Sequence, residues 1–119
     1  IEKWLVYKEL EFSTEEDLRD MGMQKTPDFL LDKPIYVDDV EILWIESKAM
    51  FGDEREHAHY LKKQFQYYQR DYGTGMVIYW YGHIDGLTME GNVIRDHNFY
   101  RGSTREINTE IEKLLNLSL

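Results

Sequence analysis

An amphipathic segment between two apolar segments constrains the fold of this chain more than any other feature. Within it, apolar side chains recur at alternating intervals of three and four residues: Ala58, Leu61, Phe65, Tyr68 and Tyr72. This periodicity predicts a helix over residues 54–71 that begins after the N-cap Asp53. The apolar runs on either side, residues 42–45 and 76–81, predict strands that are covered on both faces. A strand, a helix and a second strand in this order favour a right-handed parallel crossover.

The residues before this unit predict a hairpin and a short helix. Apolar residues on both sides of Asp38 and Asp39 predict two antiparallel strands joined by a tight turn. A capping-box pattern that begins either at Ser13 or at Thr14 predicts a short helix over residues 15–21.

Helices are also predicted at both ends of the chain. The first ten residues carry apolar side chains on one side, as in the end of a helix, and a capping-box pattern at Ser103 precedes a final helix with an apolar face. Residues 92–100 predict a short edge strand or a loop. Strands covered by helices on both sides predict an α/β fold, specifically a three-layer α/β/α sandwich, which residues 1–119 form as a single domain.

The composition of the chain excludes several classes of protein. With 42% hydrophobic and 31% charged residues, the chain resembles a folded domain and not a disordered tail. No apolar run approaches the ~20 residues of a membrane-spanning helix, and no signal segment is present, so we expect an intracellular protein. The absence of cysteine excludes disulfides and cysteine-ligated metals. A net charge of −9 argues against non-specific coating of nucleic acid, but acidic residues that hold metal ions are compatible with a nuclease.

Two charged residues lie where the hydrophobic pattern would not place them. Glu46 and Lys48 interrupt an apolar strand, and because side chains two apart in a strand project to the same face, they form a carboxylate–ammonium pair at its end. Asp28 opens the preceding strand directly after Pro27 and can approach Glu46 if the two strands pair. Two converging carboxylates suit Mg²⁺ or Mn²⁺. The alternative is a salt-bridged pair at a fraying strand end, and the pattern alone does not decide between the two interpretations.

The residues around this constellation resemble known nucleases. Pro27–Asp28 followed by Glu46-x-Lys48 matches the PD-(D/E)xK signature of metal-dependent nucleases. Three longer segments resemble the TPD-motif family, which archaea and eukaryotes share: residues 25–31, 44–54 and 75–82. The resemblance extends over roughly residues 11–87 and implies a restriction-endonuclease-like α/β/α core with a mixed central sheet.

The resemblance also implies roles for individual residues. Asp28 and Glu46 would hold Mg²⁺ or Mn²⁺, and Lys48 would be the catalytic lysine. The main-chain carbonyl of Ser47 would complete the metal shell. In some members of the superfamily an acidic residue on the first helix adds a ligand, for which the candidate is Glu15, with Glu11 and Glu16 as rivals.

The predicted helix over residues 54–71 carries further candidates. Gln64-x-x-x-Tyr68 resembles the Q-x-x-x-Y element of RecB-like nucleases, and on this resemblance we expect Gln64 to reach the catalytic site. Tyr68 lies on the apolar stripe, so we expect it in the core. His57 and His59 are two residues apart on a helix and do not face each other, so we expect them at the surface and not at a metal ion.

The function implied by the resemblance is that of a divalent-metal-dependent nuclease that hydrolyses phosphodiester bonds. DNA is expected in preference to RNA, and a junction or flap is a candidate substrate. The alternative is a nuclease-fold interaction module with weak catalysis, since animal members of the family bind a protein partner. Members also carry an N-terminal helical region that this chain lacks, so we expect the chain to be the C-terminal part of a longer protein. Many relatives of the fold dimerise, which makes a homodimer the expected assembly.

The hairpin places a condition on the register of its strands. The register set by the two-residue turn, continued without irregularity, places Asp28 opposite Ala49 and on the other face from Glu46. A shared site therefore requires a bulge or break near residues 32–34. Pro34 supports this prediction, because proline in a sheet is confined to edges and bulges.

Overall fold

The computed structural model describes residues 2–84, 87, 92–96 and 99. The final helix predicted after Ser103 lies outside these residues. The described elements follow one another in the order α1 (Glu2–Tyr7), β1 (Phe12–Thr14), α2 (Glu15–Asp20), β2 (Phe29–Val37), β3 (Val40–Lys48), α3 (Glu54–Tyr60), a π-helical turn (Leu61–Phe65), α4 (Gln66–Tyr72), β4 (Gly75–Tyr79) and β5 (Val93–Asp96).

Within the described residues, five strands form one mixed sheet in the order β1-β2-β3-β4-β5. β1, β2 and β3 are antiparallel neighbours, whereas β4 runs parallel to β3 and β5 runs parallel to β4. The predicted mixed sheet and the parallel pairing of the two strands that flank the long helix are confirmed. β5 lies within the segment predicted as an edge strand or loop, while β1 was not predicted because three residues carry too little periodic signal.

Helices contribute side chains to both faces of the sheet. Leu5 of α1 is fully buried in the cluster on one face, together with Ile78 of β4. Phe65 and Tyr68 are buried in the cluster on the other face, against Trp44 of β3. Within the described residues the fold is therefore α/β, with helical side chains above and below the sheet.

The hairpin turn has the conformation that its two aspartates favour. Asp38 and Asp39 have φ angles of 49° and 64°. Two successive positive φ angles are typical of the tight turns that match the twist of antiparallel strands, and Asp tolerates them better than most residues. Val37 pairs with Val40 across this turn, as predicted.

The predicted irregularity of the hairpin is confirmed. β2 pairs Leu30 with Trp44 and then Ile35 with Ile42, so β2 advances five residues while β3 advances two. The shift is an odd number of residues, and an odd shift exchanges the faces to which side chains point. Pro34 lies inside the shifted segment between Leu30 and Ile35. Because the regular ladder is interrupted there, the missing N–H of proline leaves no ladder hydrogen bond unmade.

The long helix differs from the prediction because it contains the π-helical turn. Its first part buries His57, whereas Ala58 is exposed. The predictions that Ala58 faces the core and that His57 lies at the surface were therefore wrong. A π turn adds one residue relative to an α turn and rotates the preceding residues by about 100° around the helix axis. The extra residue brings His57 onto the same side as Phe65, with ring centroids 5.7 Å apart.

Candidate active site

Asp28 and Glu46 meet at the ends of β2 and β3. The strands pair Phe29 with Ile45, and this register continued by one residue places Asp28 opposite Glu46. The backbone N–H of Asp28 donates to Oε1 of Glu46 over 2.8 Å. In return, the backbone N–H of Ser47 donates to Oδ2 of Asp28 over 2.8 Å. Each carboxylate is therefore oriented by a backbone group of the opposing strand.

The carboxylate of Glu46 is buried beside a second negative charge. Glu46 is only 3% exposed. Burial, and secondly the charge of Asp28, raise the pKa of Glu46 to about 7, while Lys48 and the N–H of Asp28 act in the opposite direction. Because the protein supplies only part of the positive charge that this carboxylate needs, a cation bound here would be favoured electrostatically.

Lys48 lies beside Glu46 and is held by the long helix. Its Nζ is 3.5 Å from Oε2 of Glu46 and donates to Oε1 of Gln64 over 2.5 Å. The same Nζ lies 4.1 Å from the ring centroid of Tyr60. The side chain of Lys48 is only 14% exposed. The structure thus brings Gln64 to the site, but through contact with Lys48.

Tyr68 belongs both to the core and to the site. Its ring packs edge-on against Trp44 at a centroid distance of 5.2 Å, as a core residue would. Its hydroxyl also donates to Oε2 of Glu46 over 3.3 Å. Burial, followed by the charge of Glu46, raises the pKa of Tyr68, so the hydroxyl keeps its proton as a donor. The sequence predicted the packing and missed the hydrogen bond.

An open cleft of about 800 Å³ borders Asp28, the more exposed member of the carboxylate pair. It is lined by Thr14, Glu15, Glu16, Asp17, Asp28, Phe29, Ser47 and Trp80. Thr14 and Asp17 form the capping box of α2, which selects the second of the two predicted registers. Capping at Thr14 starts α2 at Glu15, beside the cleft.

The three acidic candidates for an additional metal ligand occupy different places. Glu15 and Glu16 line the cleft with Asp28, and the carboxylate of Glu15 forms an ion pair with Arg19. Glu11 lines a separate recess with Lys33. In the part of the chain that the structure describes, no three Asp, Glu or His side chains are grouped closely enough to hold one metal ion. A ligand role for Glu15 stays a prediction.

The comparison with protein families decides the affiliation of the chain. The profile of the family described as "Protein of unknown function TPD sequence-motif" matches residues 1–98. The chain belongs to the TPD family. The resemblance predicted from the sequence is thereby confirmed.

Several vertebrate relatives are similar to this TPD-family chain. The proteins named CDAN1-interacting nuclease 1 from Bos taurus and Homo sapiens are each 52% identical to it over 83 residues, which cover 70% of this chain and 30% of the relative. The protein of the same name from Danio rerio is 49% identical over 80 residues, covering 67% of this chain and 27% of the relative. The chain thus spans less than a third of the length of these relatives. No solved structure matches the chain.

The Thr-Pro-Asp sequence of this TPD-family chain ends at the cleft, which Asp28 lines. Thr26 and Pro27 are buried, which anchors the backbone directly before Asp28.

Among the described residues, no helix has the length and apolar character needed to cross a membrane.

Two residues at the site were not among the predicted catalytic or metal-binding residues. Trp80 lines the cleft and donates from Nε1 to Oγ of Ser47 over 2.6 Å. Its place in an apolar run suggested a core residue, but β4 ends at Tyr79 and leaves Trp80 beyond the strand. Tyr60 carries no sequence signal at all, because its contact with Lys48 depends on the π-helical turn.

Proposed function

We propose that this domain is a divalent-metal-dependent nuclease that hydrolyses phosphodiester bonds in DNA, built on a restriction-endonuclease-like core. One observation carries the proposal: Asp28 and Glu46, 18 residues apart in the chain, are joined by a hydrogen bond, with Lys48 beside them. The names of the vertebrate relatives, which include the word nuclease, support the same reaction class.

The residues present fit Mg²⁺ or Mn²⁺. Asp28 and Glu46 would supply carboxylate oxygens, which such hard cations prefer. Because the N–H and C=O of one residue in a strand point the same way, the bond from the Ser47 N–H to Asp28 directs the Ser47 carbonyl towards the same side. The incomplete compensation of the Glu46 charge also favours a cation here. A bound ion would lower the pKa of a coordinated water and polarise a phosphoryl oxygen.

Lys48 would act on the charge that develops during phosphodiester hydrolysis. Its ammonium group is largely shielded from solvent, so its field on a phosphate in the cleft is screened weakly. Gln64 keeps the ammonium group beside the carboxylate of Glu46. The hydroxyl of Tyr68 gives Glu46 a second donor and so holds the carboxylate in one orientation.

The test is cleavage of labelled single-stranded, duplex and branched DNA, with RNA of the same sequences, in Mg²⁺, Mn²⁺ or EDTA. The full-length protein should cleave DNA only with the metal, and Lys48→Ala should lower the rate at least about 100-fold. Lys62→Ala, at an exposed position of the π-helical turn, is the control lysine variant and should cleave like wild type. Equal cleavage by wild type and Lys48→Ala would overturn the proposal.

A second candidate function is binding of a partner protein, with weak catalysis or none. The observation that favours it is the name of the relatives, which describes them as interacting with CDAN1. This candidate predicts that the full-length protein binds CDAN1 and that Lys48→Ala leaves the binding unchanged. If no substrate is cleaved with either metal while CDAN1 is bound, the second candidate replaces the first.

A further inference from the structure

We infer that Tyr60 is a positioning residue for Lys48, and that the π-helical turn is what allows it to be one. The inference rests on the proposed nuclease function and adds a residue to its machinery. Among the described residues that line the cleft, Tyr60 is absent, so it would act only through Lys48.

The ammonium group of Lys48 is surrounded by groups of the long helix. It lies 4.1 Å from the ring centroid of Tyr60, 5.9 Å from that of Phe65, and 2.5 Å from Oε1 of Gln64. A cation within about 6 Å of an aromatic ring face is attracted to it, and the attraction grows when water is excluded. Lys48 is 14% exposed, so the ring of Tyr60 contributes in a largely desolvated environment.

The π-helical turn brings these groups to one side of the helix. In an α-helix each residue advances about 100° around the axis, so residues five apart face directions about 140° apart. Tyr60 and Phe65 are five apart, yet their ring centroids are only 6.3 Å apart. A turn with i→i+5 hydrogen bonds returns to the same side after five residues. An α-helical turn would therefore turn the Tyr60 ring away from Lys48.

The aromatic contact has a consequence for the carboxylate site. Lys48 and Glu46 form an ion pair with 3.5 Å between Nζ and Oε2, which is longer than the roughly 2.7–2.9 Å of a hydrogen-bonded ion pair. A closer pair would neutralise more of a carboxylate that the proposed metal needs. The ring of Tyr60 attracts the ammonium group without using a carboxylate oxygen. It therefore keeps Lys48 beside Glu46 at a distance longer than a hydrogen bond.

The test compares two substitutions of Tyr60 in the full-length protein. Tyr60→Phe keeps the ring, and Tyr60→Leu removes it while leaving an apolar side chain. With Mg²⁺ and a cleaved DNA substrate, Tyr60→Leu should lower kcat about tenfold at unchanged KM, and Tyr60→Phe should stay within about twofold of wild type. If the role of Tyr60 were purely structural, Tyr60→Leu would not lower kcat while leaving KM unchanged. Nor would the ring retained in Tyr60→Phe be sufficient to restore the activity.

A second measurement does not depend on nuclease activity. The rate at which an acylating reagent modifies Lys48, followed by mass spectrometry, should rise several-fold in Tyr60→Leu and not in Tyr60→Phe. Lys62 and Lys63, exposed on the same helix, serve as internal controls whose rates should not change. If no substrate is cleaved, the proposed function fails, and this labelling still decides whether Tyr60 holds Lys48.

Three results would overturn the inference. The first is wild-type kcat and labelling in Tyr60→Leu. The second is equal loss in Tyr60→Phe and Tyr60→Leu, which would assign the effect to the hydroxyl. The third is a change in KM alone, which would make Tyr60 a substrate contact. If Tyr60→Leu does not fold, Tyr60→Met replaces it with the same expected outcome.

Discussion

The backbone N–H of Asp28 donates to the side chain of Glu46, while the carboxylate of Asp28 accepts from the residue next to Glu46. The two acidic residues are therefore held together by their backbones, although their charges repel. In the folded state the site therefore holds two carboxylates beside the single ammonium group of Lys48. The first two predictions follow from this shortage of positive charge.

Mg²⁺ or Mn²⁺ should raise the melting temperature of the wild-type protein, because a ligand that binds only the folded state stabilises it. At tenfold excess over the dissociation constant, we expect a rise of several degrees. Asp28→Asn should abolish the rise and leave the metal-free melting temperature unchanged or slightly higher, since it removes a charge that repels Glu46. Melting curves with millimolar metal and with EDTA measure both effects.

Asp32→Asn is the matched control for Asp28→Asn, because Asp32 is exposed on β2, the strand that begins directly after Asp28. It should keep the full metal response. Superimposable curves of the wild-type protein with and without metal would contradict the carboxylate pair as a metal site.

The metal-free protein should lose stability as the pH rises towards neutrality. The pKa of Glu46 is raised from 4.5 to about 7 in the folded state, mainly by burial and then by Asp28. The folded state therefore binds a proton that the unfolded chain has released, and the free energy of unfolding falls across this interval. The contribution of Glu46 is on the order of a few kcal/mol. Urea unfolding in EDTA between about pH 5.5 and 8 measures it.

Glu46→Gln should flatten this pH dependence, because the amide does not titrate. Glu41→Gln, at an exposed position of the same strand, should keep the wild-type slope. The contrary result is a free energy of unfolding that rises between pH 6 and 7, by the same amount in the wild type and in Glu46→Gln. That result would count against a raised pKa of Glu46.

Tyr68 should show separate costs for its hydroxyl and its ring. Tyr68→Phe removes the hydrogen bond to Glu46 and should destabilise the protein by about 1 kcal/mol. Tyr68→Ala also removes the packing against Trp44 and should cost about 3–5 kcal/mol. Chemical denaturation of the two variants measures the difference. Equal losses in both variants would mean that the ring contributes nothing beyond its hydroxyl, contrary to its burial.

His57 should contribute a sensitivity to acid that opposes the contribution of Glu46. Burial, and secondly the charge of His83, lower the pKa of His57 from its ordinary value of 6.5. The unfolded chain therefore takes up a proton before the folded state does, so the contribution of His57 to the free energy of unfolding falls as the pH drops below about 6.5. His57→Gln should remove this loss, although it also disturbs the hydrogen bond between Nδ1 of His57 and the hydroxyl of Tyr79.

The exposed His59 on the same helix supplies the control for His57. His59→Gln should keep the wild-type pH dependence between pH 6.5 and 5, whereas His57→Gln should change it towards greater stability at the acid end. An identical pH dependence in all three proteins would assign the sensitivity to other groups.

The sequence by itself determined the elements whose signals are local. The Asp38–Asp39 turn follows from residues that tolerate positive φ, and the order of strand, helix and strand follows from hydrophobic periodicity. The need for an irregularity in β2 also followed, because an unbroken register would separate Asp28 from Glu46. The family could be recognised because its motifs are contiguous stretches of sequence.

Only the tertiary structure decided which side chains meet. The pattern of apolar residues in the sequence does not reveal the π-helical turn. The extra residue changes which face of the helix is buried, but it does not change which residues are apolar. It buries His57, exposes Ala58 and turns Tyr60 towards Lys48. The size of the shift in β2, which joins Asp28 to Glu46, likewise depends on strand pairing at a distance. Contacts between residues far apart in the chain arise from packing, and local sequence patterns do not encode them.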